Sequence, residues 1–268
     1  FAAVVVDDGS TDETRSVAES TGDPRIQVLT VPNGGVSRAR NHGIAATAGN
    51  FVAFLDADDM WQPEKLERQV AALRDDPDAG VCVTGAIRID GESRELGLMP
   101  LWQPADVCAA LLQHSMIVGS VSSGLVRRDV VERIGSFDPR FSQSADWDLW
   151  LRLAVATRFL ILDQPLVRYR TAPGNMSSNI GLLERDTFAV LDAFFASPRA
   201  IPYRDLHARA YSAHWLVCAG SYLHAGSYAH AIRCLTKGLR AYPASLGHPL
   251  GFPARWLLRS LANIRHAR

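Results

Sequence analysis

Two groups of aspartates stand directly after apolar runs of the sequence. Asp7 and Asp8 follow FAAVVV, and Asp56, Asp58 and Asp59 follow FVAFL. Two carboxylates that flank one small residue can converge on Mg²⁺ or Mn²⁺, because these hard cations prefer oxygen ligands and usually keep positions open for phosphate. The spacing within DADD therefore favours a divalent-metal site.

An acidic string of this kind has other interpretations. In the plainest one, Asp56 or Asp59 only caps the helix that is expected to begin near Pro63. An apolar strand that ends in DxD also occurs in haloacid-dehalogenase-like phosphatases, where the aspartates act as nucleophile and general acid. The two acidic groups followed by Thr84 also mimic the residue order of a phosphorylation receiver domain.

Lysine is scarce in this sequence, and its scarcity separates these alternatives. Both phosphoryl-transfer alternatives need a lysine late in the domain, but the chain has no lysine between Lys65 and Lys237. A GxxxxGK[ST] phosphate loop and a strand-linked GxGxxG are also absent from the sequence. Nucleoside-triphosphate hydrolysis and dinucleotide binding therefore lack their motifs.

Composition excludes further classes of protein. The 268 residues are 47% hydrophobic, which is enough for a full-sized core. Basic and acidic residues both number 28, so no overall field favours nucleic acid, and nucleic acid is not expected as a partner. The four cysteines form no CxxC pair, which favours a reducing compartment. No apolar stretch approaches the roughly 20 residues of a membrane-spanning helix.

The periodicity predicts an α/β domain that places both acidic groups at one edge of a sheet. Apolar runs at residues 1–6, 25–31, 51–55 and 81–89 predict strands, with helical segments between them. This alternation indicates an open, mostly parallel sheet flanked by helices. Ligands of such sheets bind beyond the carboxyl ends of the strands, where the aspartates stand.

From about residue 183 the sequence has helical periodicity without strands. Residues 211–239 predict two helices joined by a turn at residues 225–227, which resemble a single tetratricopeptide unit. We therefore expect a C-terminal helical appendage. The tail at residues 255–268 places aliphatic side chains on one helical face among arginines. Packing on its own domain is favoured for this tail over contact with a membrane surface.

Four strings of the sequence resemble, in this order, the family 2 glycosyltransferases with the GT-A fold: VVVDDGSTDET, NGGVSRARNHGIAATAGNFVAFLDADD, IGSFDPRF and ADWDLWLRLA. The resemblance covers residues 4–178. Members of the family begin with an earlier strand reading SVIIPxYN, so we expect the chain to lack the first strand. The resemblance implies a catalytic domain at residues 1–180 and a helical region at residues 181–268.

The resemblance also implies roles for the acidic motifs and for the helix between them. Asp8 would contact the base of the nucleotide, commonly uracil, and Asp7 would shape the turn. Arg40 would reach the base or the phosphates of the donor. Asp56 would contact the ribose or support the metal, and Asp58 would bind Mn²⁺ or Mg²⁺ directly.

Asp146 is the general base that the resemblance implies, since a base must take the proton of the acceptor hydroxyl as it attacks the anomeric carbon. Attack from the face opposite the leaving nucleoside diphosphate inverts that carbon. Asp148 is the second choice, and a purely capping role for Asp146 is the plainer alternative. Ala145 replaces the glutamate that usually precedes the base. Trp147 and Trp150 could stack on an acceptor sugar, although such residues more often belong to the core.

The segment LVRYRTAPGNMSSN resembles the loop with which the family covers the donor, and Arg168, Arg170 and Ser177 could contact phosphate there. Processive members carry a QxxRW string after the base. The sequence has no such string, which favours transfer of a single sugar over polymer synthesis.

The resemblance therefore predicts an inverting, metal-dependent glycosyltransferase. Its donor would be a nucleoside-diphosphate sugar, with a UDP-sugar favoured, and its acceptor a saccharide or a lipid-linked saccharide. A nucleotide-sugar-binding module without turnover and a scaffold that docks partners on the helical hairpin are the alternatives. The family further implies bacterial cell-surface polysaccharide synthesis, in the cytoplasm or peripherally at the inner face of the membrane.

Overall fold

The structure is a computed structural model that describes residues 1–99, 103–114, 120–171 and 179–246. These residues group into two compact units. The first is drawn from Phe1–Gln103 and Ile117–Ala172, and the second from Pro104–Met116 and Pro173–Arg268. The predicted tail at residues 255–268 and half of the predicted covering loop, residues 172–178, lie outside the described residues.

All described strands belong to the first unit. They are β1 (Ala3–Asp7), β2 (Ile26–Thr30), β3 (Phe51–Ala53), β4 (Met60–Trp61), β5 (Ala79–Ile89), β6 (Glu95–Met99), β7 (Gly124–Arg127) and β8 (Arg158–Arg170). Strands β1 and β2 pair in parallel as a two-stranded sheet. The others form a larger sheet in the order β3-β7-β5-β8-β4, with β6 paired to β5.

The helices, in chain order, are α1 (Thr14–Glu19), α2 (Val36–Ala45), α3 (Lys65–Asp75), α4 (Val107–His114), α5 (Arg128–Ile134), α6 (Ala145–Ala156), α7 (Ile180–Ala196), α8 (His207–His224) and α9 (Tyr228–Ala241). Helices α4, α7, α8 and α9 belong to the second unit. None of the helices in the described ranges has the length and apolar character needed to cross a bilayer.

The predicted α/β fold is confirmed, but the larger sheet is not mostly parallel as the sequence had suggested. Strands β5 and β8 run in parallel, whereas β3, β4, β6 and β7 each pair antiparallel with a neighbour. Parallel strands need a long crossover, but antiparallel strands can follow a short connection. The antiparallel strands here are short, and several follow turns instead of helices, so the larger sheet is mixed.

Strand β5 forms the centre of the first unit. Ala79, Val81 and Cys82 have no exposed surface, as expected for a strand covered on both faces. Trp147 and Trp150 of α6 are 4% and 1% exposed. Both tryptophans therefore belong to the core, which confirms the plainer interpretation of their spacing.

The second unit contains the predicted helical hairpin. Helices α8 and α9 are joined through Gly226, whose φ of 73° suits glycine. A cleft of about 750 Å³ opens on α7, α8 and α9. Two arginines on its wall, Arg185 and Arg233, are each paired with a carboxylate of the same unit.

Candidate active site

The turn after β1 is shaped by a buried carboxylate and a glycine. Asp7 is 4% exposed, and its Oδ1 accepts the Ser10 N–H at 2.8 Å. The hydrogen bonds from Ser10 lower the pKa of Asp7, so this side chain is a stable anion that shapes the turn as predicted. Gly9 has a φ of 77°, and a Cβ there would lie 3.0 Å from the Asn33 nitrogen. Only glycine suits this position.

Asp8 joins this turn to the start of α2. Its two carboxylate oxygens accept the N–H groups of Gly34 and Gly35, each at 2.8 Å. The Asn33 side chain donates to the Asp8 carbonyl at 2.9 Å. The anion thus lies at the positive end of the helix dipole. Each carboxylate oxygen keeps a second lone pair, so this arrangement is compatible with the predicted contact to a nucleotide base.

Two polar side chains fix α2 against residues 137–141. Asn41 Nδ2 donates to the Phe137 carbonyl at 2.8 Å, and the Phe137 N–H donates to Asn41 Oδ1 at 2.9 Å. Buried Ser37 donates to the Phe141 carbonyl at 2.6 Å. Residues three and four apart share a helix face, so this docking also sets the direction of Arg40. Ser37 and Asn41 were not predicted from the sequence, where their signal is the four-residue spacing within SRARN.

Arg40 pairs with Asp56, the first residue of the DADD loop. Its Nη2 lies 2.6 Å from Asp56 Oδ1, and the two side chains are only 15% and 26% exposed. The guanidinium also lies over the Phe137 ring, 5.1 Å from its centroid. The structure thus brings together two residues that the resemblance implied as donor-binding residues.

The DADD loop is anchored at its backbone. The Asp56 N–H donates to Ser122 Oγ at 3.0 Å, and Arg170 Nε donates to the Asp58 carbonyl at 2.7 Å. Because the anchors hold the main chain, the loop has a defined position while the Asp58 side chain is exposed to solvent. This is the arrangement expected of a residue that meets a ligand.

Asp59 does not cap α3, which corrects one expectation from the sequence. The residue before that helix is Glu64, and it makes no side-chain capping bond. Asp59 is instead buried, with its Oδ1 accepting the Arg170 N–H at 2.9 Å from β8. Its Oδ2 has no hydrogen-bond partner among the described residues, and burial raises the pKa of Asp59 to about 6.

Asp146, the predicted base, lies in the first turn of α6. Its Oδ2 accepts a hydrogen bond from Ser120 Oγ at 2.8 Å, and its Oδ1 accepts the Trp147 N–H at 2.8 Å. Burial raises the pKa of Asp146, and the Arg40 charge and the Ser120 hydroxyl oppose that rise. A raised pKa suits a general base. The cap position of α6 is occupied by Ser144, so Asp146 is not the cap.

Asp148, the second choice for the base, is paired with Arg152. Arg152 donates to Asp148 Oδ2 from Nε at 2.9 Å and from Nη2 at 2.7 Å. The same guanidinium also donates to the carbonyls of Gly135 and Ser136, at 2.6 and 2.9 Å. Asp148 therefore ties α6 to the end of α5, which is a structural role.

Hydrogen bonds place the site aspartates in one region, because Asp56 and Asp146 contact Ser122 and Ser120, and Arg170 contacts Asp58 and Asp59. Burial raises the pKa of Tyr169 to about 12, and the negative charges of Asp59, Asp146, Asp56 and Asp58 add to the rise. A carboxylate can act in this way only from nearby, because charge interactions weaken with distance and screening. The four carboxylates are therefore near enough to Tyr169 to raise its pKa, and one of them, Asp56, is paired with Arg40.

This donor set suits a divalent cation that is also held by substrate. Carboxylate oxygens are hard ligands of the kind that Mg²⁺ and Mn²⁺ prefer. In the part of the chain that the structure describes, no three His, Cys, Asp or Glu side chains are arranged to hold a metal by themselves. A cation at Asp58 would therefore need oxygen atoms of phosphate and water to complete its coordination.

Arg168 and Arg170 brace the turn between β5 and β6. Arg170 Nη1 donates to the Asp90 carbonyl at 2.8 Å, and its Nη2 donates to Ser93 Oγ at 3.0 Å. Arg168 Nη2 donates to the Ser93 carbonyl at 2.8 Å. These contacts direct both guanidinium groups toward the hairpin, although phosphate contact was expected. Ser177, the third residue named for this role, lies outside the described residues.

The mixed sheet, its flanking helices and the acidic loop after β3 define a GT-A type fold, and solved structures agree. TarS from S. aureus aligns with a TM-score of 0.55 at 15% identity, covering 91% of this chain and 82% of its own. The mannosyltransferase PcManGT from Pyrobaculum calidifontis, solved in complex with GDP-Man and Mn²⁺, aligns with a TM-score of 0.58 at 17% identity. That alignment covers 97% of this chain and 76% of PcManGT.

The family model for glycosyl transferase family 2 matches residues 1–135, and the chain belongs to this family. An uncharacterized glycosyltransferase of Nostoc sp. is 32% identical over 186 residues, which are 64% of this chain and 56% of the relative. The amylovoran biosynthesis glycosyltransferase AmsB of Erwinia amylovora is 30% identical over 190 residues, 63% of this chain and 60% of AmsB. The chain thus spans a little over half the length of these relatives.

Proposed function

We propose that this chain carries the catalytic site of an inverting glycosyltransferase, which moves one sugar from a nucleoside-diphosphate sugar to an acceptor hydroxyl. The observation that carries the proposal is geometric. Ser120 Oγ donates to Asp146, the candidate base, at 2.8 Å, and Ser122 Oγ, two residues further on, accepts the N–H of Asp56 in the candidate donor site at 3.0 Å. We assign the catalytic role to residues 1–180 and treat residues 181–268 as a helical region.

The donor side of the site would use Asp8, Arg40 and Asp56. Asp8 is fixed at the start of α2 and would accept a hydrogen bond from the base, with uracil favoured. Arg40 and Asp56 would meet the ribose and the diphosphate as a preformed pair, which lowers the entropic cost of ordering them. Structures of the same fold support a nucleotide-sugar donor, since TarS has been solved with UDP and with UDP-GlcNAc.

Asp58 would hold Mn²⁺ or Mg²⁺, with Asp56 beside it. When bound, the cation would supply positive charge to stabilise the leaving nucleoside diphosphate. The chain's own contribution is a loop whose backbone is fixed by Ser122 and Arg170. A fixed loop presents the Asp58 carboxylate without reorganisation, and the Mn²⁺ complex of PcManGT supports this use of a divalent cation.

Asp146 would act on the acceptor side as general base. Its ionised carboxylate would take the proton of the acceptor hydroxyl as that oxygen attacks the anomeric carbon. The Ser120 hydroxyl and the Trp147 N–H hold the two carboxylate oxygens and so fix the direction of proton transfer. Attack opposite the leaving diphosphate inverts the anomeric carbon, and no covalent sugar intermediate is required.

The acceptor would be a saccharide or a lipid-linked saccharide in bacterial surface polysaccharide synthesis. Support for this pathway class comes from the name of AmsB, an amylovoran biosynthesis glycosyltransferase. The setting that fits such a role is the cytoplasm, with peripheral contact at the inner face of the membrane.

One observation favours a second candidate function. Ala145 is fully buried in α6, where the family usually has a glutamate. A site without that carboxylate could bind a nucleotide sugar and fail to turn it over. The second candidate is therefore a nucleotide-sugar-binding module.

Donor turnover separates the two candidates. The protein is incubated with Mn²⁺ and with UDP-glucose, UDP-galactose, their N-acetyl forms and GDP-mannose, and release of the nucleoside diphosphate is measured. Asp146→Asn is expected to lower release by roughly 10²- to 10⁴-fold, the contribution of a general base, with unchanged UDP affinity by calorimetry. Asp129→Asn, at an exposed aspartate of α5, is the matched control. UDP binding without release from any donor would favour the binding module.

A further inference from the structure

One short segment contacts both halves of the candidate site. This serine turn (Ser120–Ser123) is a 3-10 helix in which Ser120 Oγ donates to Asp146 Oδ2 at 2.8 Å. Ser122 Oγ accepts the Asp56 N–H at 3.0 Å. The serine turn thus connects the base to the DADD loop. Any shift of the turn would move both groups together.

The serine turn has a conformation that its neighbours must stabilise. Ser120 has a φ of 54°, in the left-handed region that residues with a side chain rarely adopt. Within the turn, Ser123 Oγ donates to the Ser120 carbonyl at 3.0 Å. Such a conformation persists only where surrounding contacts determine it. Hydrogen bonds to the carbonyls of Ser122 and Ser123 should therefore help to stabilise the turn.

Two side chains, Trp61 and Gln69, donate hydrogen bonds to the carbonyls of Ser122 and Ser123. Trp61 Nε1 donates to the Ser122 carbonyl at 2.8 Å. Gln69 Nε2 donates to the Ser123 carbonyl at 2.9 Å and to the Cys82 carbonyl of β5 at 2.7 Å. Gln69 has no exposed surface, and both hydrogens of its amide are used. The turn is therefore fastened to the central strand of the first unit.

Lys65 completes this network. It has no exposed surface, its Nζ donates to Gln69 Oε1 at 2.7 Å, and its Nζ lies 4.2 Å from the centre of the Trp61 ring. By occupying Oε1, Lys65 directs the Nε2 end of the amide toward the two carbonyls. By lying over the indole, it fixes the plane of Trp61.

Burying this lysine is costly, which argues against a simple filling role. Burial lowers the pKa of Lys65 to about 7, and no carboxylate contributes a compensating charge. An apolar side chain of similar length would fill the same space without desolvating an amine. The particular contacts to Gln69 and Trp61 therefore explain the lysine better than packing does.

We propose that Trp61, Lys65 and Gln69 form a positioning unit that fixes the serine turn and, through it, aligns the DADD loop with Asp146. None of these three residues is among the candidate donor-binding, metal-binding or base residues. The inference rests on the proposed function, because alignment of loop and base has meaning only where both act on one substrate. It assigns positioning roles to residues of α3 and β4 that carry no site chemistry of their own.

Two substitutions separate the contacts. Lys65→Met keeps the length of the side chain and removes the amine, whereas Gln69→Glu keeps an acceptor for Lys65 and removes both N–H donors. We expect each variant to lower kcat by about tenfold or more, as misplacement of reacting groups does, with a smaller change in donor KM. The Mn²⁺ concentration for half-maximal rate should rise at least severalfold.

Leu73→Ala is the matched control on the same helix. Leu73 is fully buried against Ala79, Cys82 and Leu125, and its aliphatic side chain makes no hydrogen bond to the serine turn. The control should lower Tm while leaving kcat and the Mn²⁺ dependence of the folded protein unchanged. A loss of kcat in Leu73→Ala equal to that in Lys65→Met would overturn the proposal, because general weakening of α3 would then explain both.

A second measurement tests the alignment of the DADD loop with Asp146 without requiring sugar transfer. Electron paramagnetic resonance gives the affinity for Mn²⁺ in the presence of UDP, and this affinity should weaken in Lys65→Met and Gln69→Glu but not in Leu73→Ala. Unchanged affinity in both variants would overturn the inference even if the chain transferred no sugar. Absence of nucleotide release from wild-type protein would instead contradict the proposed function.

Discussion

Arg40 Nη2 lies 2.6 Å from Asp56 Oδ1, across 16 positions of sequence. The pair joins α2, which is fixed by Asn41 and Ser37, to the loop that begins the DADD string. The Arg40 charge also opposes the rise in the pKa of Asp146. One guanidinium thus pairs with Asp56 on the donor side of the candidate site and lowers the pKa of Asp146 on the base side.

Arg40→Ala should move the acid limb of the pH–rate profile to higher pH. Asp146 must be ionised to act as base, and its pKa rises further once the Arg40 charge is removed. Below that pKa, each unit of upward shift lowers the rate about tenfold. The measurement is kcat/KM between pH 5 and 8. Arg38→Ala, at an exposed arginine of the same helix, is the control and should leave the limb in place.

Removing the Ser120 hydroxyl should act in the same direction and more weakly. The hydrogen bond from Ser120 to Asp146 Oδ2 lowers the pKa of that carboxyl. Ser120→Ala deletes this donor, so the pKa of Asp146 should rise. Ser120→Gly deletes the same donor but suits the φ of 54°. Equal shifts of the acid limb in both variants would assign the effect to the hydroxyl. A shift in Ser120→Ala alone would assign it to backbone strain.

Metal removal should abolish turnover, and Asp58 should account for most of the metal's affinity. Chelation with EDTA is expected to stop nucleotide release, and added Mn²⁺ should restore it. Asp58→Asn should need a higher Mn²⁺ concentration for half-maximal rate, because a neutral amide binds a hard cation less strongly than a carboxylate. Asp78→Asn, at another exposed aspartate, is the control. Full activity in EDTA would contradict the metal assignment.

Lys65 should make the protein more stable as pH rises above 7. Its folded pKa of about 7 is below its ordinary 10.5, so the unfolded chain binds more protons within that window. The free energy of unfolding then rises with pH by up to ~1.4 kcal/mol per unit. Urea denaturation of wild type and Lys65→Met at pH 7, 8 and 9 should give a difference that changes with pH.

The sign of the stability difference between wild type and Lys65→Met follows from the protonation of Lys65. Below pH 7 the wild type bears the full cost of a buried ammonium, so Lys65→Met should be relatively most stable there. Its relative stability should fall as pH rises. Lys237→Met controls for removal of a lysine from an exposed position. Parallel pH profiles for wild type and Lys65→Met would contradict the assignment of a desolvated amine.

Gly124→Ala should destabilise the first unit by about 1–3 kcal/mol, the usual cost of overpacking a core. A Cβ at Gly124 would collide with the indole of Trp150, which is 1% exposed and cannot move into solvent. Gly91→Ala is the control, since a Cβ there meets nothing within 4 Å. Urea denaturation monitored by tryptophan fluorescence measures both changes. Equal stabilities of the two variants would contradict the packing argument.

The sequence could predict the parts of the site that depend on local pattern. Apolar runs ending in aspartates predicted β1 and β3 with Asp8 and Asp58 beyond them, because strand periodicity and turn chemistry are properties of neighbouring residues. The four ordered motifs indicated the family for the same reason. The helical hairpin of α8 and α9 followed from periodicity and Gly226.

Tertiary structure decided how those parts meet. Ser120 contacts Asp146 across 26 positions, and Asp56 contacts Ser122 across 66. Motif position favoured Asp146 over Asp148 as the base, but only the folded chain shows that Arg152 pairs with Asp148. Side-chain partners of this kind are fixed by packing between distant segments, so only the folded chain determines which carboxylate faces the site and which one serves the core.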